Sequence, residues 1–471
     1  MNTSTYVLVH NDLTVPIIYH GVPWCNRVNN HLTQYFRCPH SYIRIETKGT
    51  LSSASGYFRL GNDAACYGTY YGHHSDELHR GVIHDALGDA EINNGVIYLP
   101  FDPWQVADNL LRERYVDDWR SEGFMLAFAK LYYFIRPVLS AGMRRLLQKV
   151  YMKGWDKLPF PKWPVDCTVD NLLGHLLLMS LKSNRVEQIP FIWFWPEGAS
   201  SCAIVTHDVE TELGRNFCPT LMDIDDRFGI KASFQIIPEQ RYDVSSEFLD
   251  SIRKRGFELA VHDLNHDGHL YRDRAEFLER AIKINSYGKQ FEAKGFRAAV
   301  LYRKQLWYDA LDFSYDMSVP NVAHLDPQRG GCCTVMPYFL GDILELPVTT
   351  TQDYTLFYIL NDLSIDLWKR QIEIIMEKHG LISFIVHPDY VVRAPERAIY
   401  EGLLGFLSRL REEKGVWVTT PGEVNHWWRQ RAEMTLLENG KDWQIEGPGK
   451  ERARLAYATE KDGRLVFSLS T

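Results

Sequence analysis

The sequence predicts an α/β protein whose central part is a barrel. Three observations carry that reading. From Cys202 to Trp428, short β-branched runs alternate with amphipathic helical patterns, which calls for parallel strands joined by crossover helices. Seven or eight such units in about 220 residues suit a barrel better than an open sheet. Polar residues also collect at the C-terminal ends of the predicted strands, the face on which parallel barrels build their sites.

The elements follow in chain order. Residues 1–190 read as a separate α/β domain of unassigned role, with strand-like pieces at 6–9, 15–19 and 95–99 and a long basic helix over 124–155. Two stretches rich in proline and aromatic residues, 158–164 and 189–198, bracket a helix expected over 169–183 and open the next domain at 198. In the 198–430 domain, strands are expected over 202–207, 232–237, 257–261, 297–302, 313–315, 343–348, 381–386 and 416–419. Helices with readable ends run from a Ser245/Ser246 cap to Gly256, from Ser364 to Gly380, and from Pro395 to Gly415. Residues 431–471 alternate over 433–437, 443–446, 454–458 and 465–469, with Asp462-Gly463 as a hairpin signal. They predict a small antiparallel appendage packed on the barrel.

Composition narrows the function classes. With 45% hydrophobic and 24% charged residues, the 471-residue chain has an ordinary globular balance. A net charge of −8 argues against a nucleic-acid binder with a wholly basic surface. The eight cysteines include no CxxC pair, and the start of the chain lacks the basic and apolar regions of a signal peptide. The thiols are therefore expected to be reduced and mostly buried in a cytoplasmic protein. No apolar run is long enough for a transmembrane helix. The 13 Trp and 25 Tyr serve either the core or a carbohydrate-stacking surface.

The candidate chemistry lies at five strand ends, the fourth carrying Arg297 and the other four His or Asp. The first ends Thr206-His207-Asp208-Val209-Glu210, and the third ends His262-Asp263-Leu264-Asn265-His266. The fifth ends in Asp316, and the seventh in His387-Pro388-Asp389. His262 and His266, four apart, face the same way if they lie on a helical turn. Two imidazoles and a carboxylate form a catalytic Zn²⁺ set that leaves a position open. Asp208 and Glu210 offer two carboxylates, one for metal and one for general base. His387 can protonate a leaving amine. Together they fit metal-assisted hydrolysis of an amide.

In these motifs the segment 200–430 resembles the polysaccharide deacetylase domain (NodB homology, carbohydrate esterase family 4). The family's Thr-Phe-Asp-Asp motif is similar to Thr206–Glu210, its His-x-x-x-His motif to His262–His266, its arginine motif to Arg297, and its Leu-x-His motif to Ile385-Val386-His387. The resemblance implies a distorted (β/α)7 barrel and Zn²⁺ or another divalent transition metal. It implies Asp208 as general base, His262 and His266 as metal ligands, Arg297 as the residue that keeps Asp208 ionised, and His387 as general acid. Val209 stands where the family has its second aspartate, so Glu210 is taken as the third ligand. Asp316 and Asp353 are both candidates for the aspartate that tunes the acid histidine. The proline that follows the family's arginine is Ala298 here.

Other features have plainer readings. His207 and His269 lie beside the motifs as neighbours or substrate contacts, and Cys332-Cys333 reads as a packing pair in a loop. The stretch 124–155 holds six Lys/Arg and no Asp or Glu. It is read as a helical pair with a solvated basic face, or alternatively as a peripheral contact with the inner face of a membrane. The expected activity is removal of an N-acetyl or N-formyl group from an amino-sugar glycan or a lipid- or nucleotide-linked sugar. The rival readings are an allantoinase-like hydrolase of a ureide or cyclic amide on the same barrel, and a non-catalytic barrel that binds glycan. No nucleic-acid partner is expected, and the oligomeric state is open.

Overall fold

A computed structural model describes residues 31–471 apart from 50, 52–53, 72–82, 117–142, 144–146, 148–149, 151, 441 and 471. The strand-like pieces at 6–9 and 15–19, and most of the basic stretch 124–155, lie outside the described residues.

Seven parallel strands form the wall of the barrel. They are β1 (Cys202–Val209), β2 (Ser233–Ile236), β3 (Glu258–His262), β4 (Gly295–Arg297), β5 (Tyr315–Asp316), β6 (Ile343–Glu345) and β7 (Leu381–Val386), paired in the order β6-β5-β4-β3-β2-β1-β7. Every residue of β1 and β7 is buried. This is why they read as unbroken apolar runs rather than alternating ones. Helices α1 (Glu212–Arg227), α2 (Ser246–Arg253), α3 (Arg274–Gln290) and α4 (Asp366–Glu377) cross between strands, and α5 (Ala394–Lys414) follows β7. Their ends match the chemistry of their caps. Ser245 accepts from the Phe248 amide at the start of α2, and Gly415 closes α5 at φ 66°.

The ring closes without a ladder. Between β6 and β7, threonine hydroxyls replace the backbone pairs. Thr349 Oγ1 donates to Leu381 O (2.8 Å) and accepts from Ser383 N (2.9 Å), and Thr350 Oγ1 donates to Ser383 O (2.7 Å). This is a distorted seven-stranded barrel. The run expected as an eighth unit, Trp417–Thr419, pairs with the first half of β1, leaving the second half to β2.

The strand expected over 297–302 lies instead at Gly295–Arg297, so only Arg297 is common to both. Its ladder groups are taken by polar partners. Arg297 O accepts from Asp263 N (2.9 Å) and from the His262 ring, and Ala298 N donates to Ser318 Oγ (2.8 Å). Residues 299–301 then form a 3-10 turn, with Val300 at φ 59°.

The helix expected over 169–183 spans Thr168–Asn184, and part of the strand-like piece at 95–99 is the strand Val96–Leu99. Arg303, after β4, makes a buried two-pronged ion pair with Glu113, whose carboxylate also accepts from Gly331 N (2.6 Å). At the other end of the chain, the hairpin Leu455–Lys461/Arg464–Leu469 turns through Asp462 (φ 52°) and Gly463 (φ 75°) and takes Gln188–Ile192 as its third strand. The aromatic run that follows has a packing role. Phe191, Phe194 and Trp195 are at most 1% exposed, and Phe191 and Phe194 pack on Phe36 and Phe467. Those rings form core, not a sugar-facing groove.

The seven described cysteines are free, and all but Cys167 are buried. Among the described residues, no helix is long and apolar enough to cross a membrane.

Candidate active site

Strand alternation builds the first half of the site. Asp208 and Glu210 are two apart at the end of β1, so both project to one face, while Val209 between them joins the hydrophobic core. Asp208 is buried, and its Oδ1 accepts from Arg297 Nη1 (2.6 Å). Arg297 ends β4 with no exposed surface and is fixed in turn. Its Nη1 donates to Thr206 Oγ1 (2.7 Å), and its Nε donates to Met317 O (3.0 Å). Burial works against the charge on Asp208, but Arg297, with His262 and His387 adding, holds its pKa below the usual aspartate value. The carboxylate is ionised and aimed.

The two histidines come from one strand end, but not from a helical turn. His262 is the last residue of β3, and the chain then reverses through Asp263 and His266, both at φ 57°. Asp263 permits this because its own carboxylate accepts from Leu264 N (2.6 Å). The reversal brings the two imidazole centroids to 4.9 Å, so the four-residue spacing works through a tight loop. His262 Nδ1 lies 3.1 Å from Arg297 O. A carbonyl can only accept, so Nδ1 carries a proton and Nε2 is the atom turned toward the site.

Glu210 completes the set. Its Oε1 is 2.8 Å from His266 Nε2, 3.4 Å from His387 Nε2 and 3.8 Å from His262 Nε2. Burial raises its pKa, yet the facing histidines, His266 first, pull it well below the ordinary glutamate range. One ligand atom from each of Glu210, His262 and His266 lies within 4.8 Å of the others. His262 Nε2 is buried without a hydrogen bond, and His266 Nε2 meets Glu210 alone. Two imidazole nitrogens turned toward one carboxylate are what a cation-binding donor set requires.

His387, just after β7, lies on the far side of Glu210. Asp353 holds it twice, with Oδ2 accepting from the His387 amide (2.7 Å) and Oδ1 from ring Nδ1 (2.6 Å). Burial opposes protonation, but Asp353 and Glu210 outweigh it and hold the imidazole pKa well above its usual value. Asp316, the other candidate for this role, sits elsewhere. Its carboxylate accepts from the amide and hydroxyl of Ser318 (both 2.9 Å), beside its cross-strand neighbour Glu345. His207 points away from the site, with its ring 3.0 Å from Asp225 and 3.2 Å from Val386 O. His269 is half-exposed near Asp267.

Sequence reasoning missed two supporting residues. Thr206 stood in the motif, and only the fold shows its hydroxyl bracing Arg297. Arg241 lies outside every motif and reaches the His262–His266 loop from the neighbouring crossover.

No family model matches the chain, and no curated protein matches it. Solved structures similar to it include a putative polysaccharide deacetylase from Mycobacterium smegmatis (18% identity, 53% of this chain and 98% of that one, TM-score 0.42). A Puue allantoinase is also similar (13%, 50% and 92%, TM-score 0.40). So is a CE4 family pseudoenzyme from Bacillus anthracis (14%, 48% and 65%, TM-score 0.27). Similarity this low leaves substrate and activity to be argued from the site itself.

Proposed function

We propose that this chain is a metal-dependent amide hydrolase that removes an N-acetyl or N-formyl group from an amino-sugar glycan or its lipid- or nucleotide-linked precursor. The observation that carries the reading is the convergence of Glu210, His262 and His266 between an ionised carboxylate, Asp208, and a protonated imidazole, His387. Glu210, His262 and His266 would hold the ion, and a donor set of two imidazoles and one carboxylate suits Zn²⁺. When bound, such an ion supplies Lewis acidity, lowering the pKa of water and polarising a carbonyl oxygen.

The chain's own groups account for the proton traffic. Asp208, kept ionised by Arg297, takes the proton of the attacking water. His387, charged and oriented by Asp353, gives its Nε2 proton to the leaving nitrogen. An amide needs both, because an amine is expelled poorly unless it is protonated. The sugar substrate rests on the motif resemblance. An amide carbon is the reactive centre that the base, ion and acid together suit.

The test is product analysis. Zinc-loaded protein is incubated with N-acetylated amino-sugar oligomers, a nucleotide-linked N-acetyl sugar, their N-formyl counterparts and a cyclic ureide. Release of acetate or formate that disappears in Asp208→Asn is expected. Hydrolysis of the ureide alone would move the assignment to the rival hydrolase. No turnover of any of them by metal-bound protein would leave a binding barrel.

A further inference from the structure

We propose that Arg241 is a positioning residue for the metal centre. It holds the loop that presents His266, and so sets how tightly the site binds a divalent ion. The inference rests on the metal-centre reading above. His266 sits at φ 57°, a left-handed conformation disfavoured for a residue with a β-carbon. Something must therefore keep the loop in that shape. Its start is tied to the barrel, since Asp263 N donates to Arg297 O (2.9 Å). Its far end is held from the β2–α2 crossover. Glu239 N donates to Leu264 O (3.0 Å). Arg241 then grips the next two carbonyls, with Nε donating to Asn265 O (3.2 Å) and Nη2 to His266 O (2.6 Å). Three successive carbonyls, 264 to 266, are thus taken in order by one short segment.

The same guanidinium lies 3.4 Å from His266 Nδ1, and its charge repels a cation at Nε2. Holding the loop strengthens metal binding and charge repulsion weakens it, so removal of Arg241 reads out which one governs. We infer that holding governs, because two forked hydrogen bonds fix a ligand in a strained backbone. Supporting contacts of this kind change metal affinity by about 10–100-fold.

The experiment is a zinc titration of the metal-free full chain against a chelating indicator, for wild type, Arg241→Ala and Arg241→Lys, with the denaturation midpoint of each metal-free protein measured alongside. Arg241 is exposed, so the metal-free midpoints are expected to stay close to wild type. Arg241→Ala should weaken zinc binding by about 10-fold or more. Arg241→Lys keeps the charge and can reach one carbonyl, so it should fall between the two. Unchanged or tighter binding by Arg241→Ala overturns the proposal. If that variant does not fold, wild-type affinity in Arg241→Lys overturns it instead. A wild-type chain that binds no zinc overturns the metal centre itself and the role of Arg241 with it. Zinc binding that is indifferent to residue 241 overturns only the latter.

Discussion

Asp208 and His387 divide the chemistry because their surroundings push them in opposite directions. A guanidinium keeps one ionised, and a carboxylate keeps the other charged. Asp208→Asn preserves shape and removes the base, so kcat should fall by about 10³-fold, within the range of general-base contributions, while zinc stoichiometry stays unchanged. Asp353→Asn should lower kcat by about 10-fold or more, since an oriented partner of this kind carries that much of a site's function. Asp316→Asn should leave kcat unchanged, because its carboxylate serves Ser318 and Glu345 instead. Steady-state kinetics on the three variants separates the two aspartates. At this scale much was legible in the sequence. Alternation alone places Asp208 and Glu210 on one face, with Val209 turned away, so the departure from Asp-Asp to Asp-Val-Glu still leaves a carboxylate in the site. Sequence could not choose between Asp316 and Asp353, because the choice depends on which strand end lies beside β7. Nor could it show Arg241, a loop residue whose partners are backbone carbonyls.

At the scale of elements, the two longest fully buried strands, β1 and β7, were readable. The apolar run 381–386 is β7 residue for residue, whereas β4 is short because side chains and loops take its hydrogen bonds, an effect that propensity does not carry. The His262–His266 spacing pointed to one cluster, but the element that forms it is a strained loop. Between elements, the Glu113–Arg303 pair ties the N-terminal part to the barrel. Glu113→Ala leaves a buried guanidinium and the Gly331 amide unpaired. It should cost about 3–5 kcal/mol, the usual penalty for half of a buried pair, read as a lower denaturant midpoint with an unchanged m-value. The loop holding His324 gives a pH dependence. Burial first, and then the charge of Arg329, lowers this pKa from 6.5 to about 4. The unfolded chain binds the proton more readily, so the stabilisation from neutral His324 is full above pH 6.5 and is lost as pH falls toward 4. His324→Gln should flatten the stability profile in that window, measured by denaturant titration at pH 7 and pH 5.

For the molecule as a whole, the sequence suggested a barrel with an appendage behind it. The structure interleaves the parts. The C-terminal hairpin recruits Gln188–Ile192, from the other side of the barrel sequence, and the aromatic residues pack that junction. Such pairing joins residues more than 260 positions apart, so no local pattern could announce it. The metal reading also has a consequence for the whole fold. An ion that binds only the folded chain adds about 2.7 kcal/mol to its unfolding free energy at a hundredfold excess over Kd, so zinc should raise the denaturant midpoint and a chelator should reverse the shift. The central claim, that Glu210, His262 and His266 form one ligand set, is tested most directly by metal stoichiometry after equilibration with zinc and removal of the excess. One ion per chain is predicted for the wild type, and close to none for His262→Ala/His266→Ala. A wild type that retains no zinc, or a double variant that retains as much as the wild type, would contradict it.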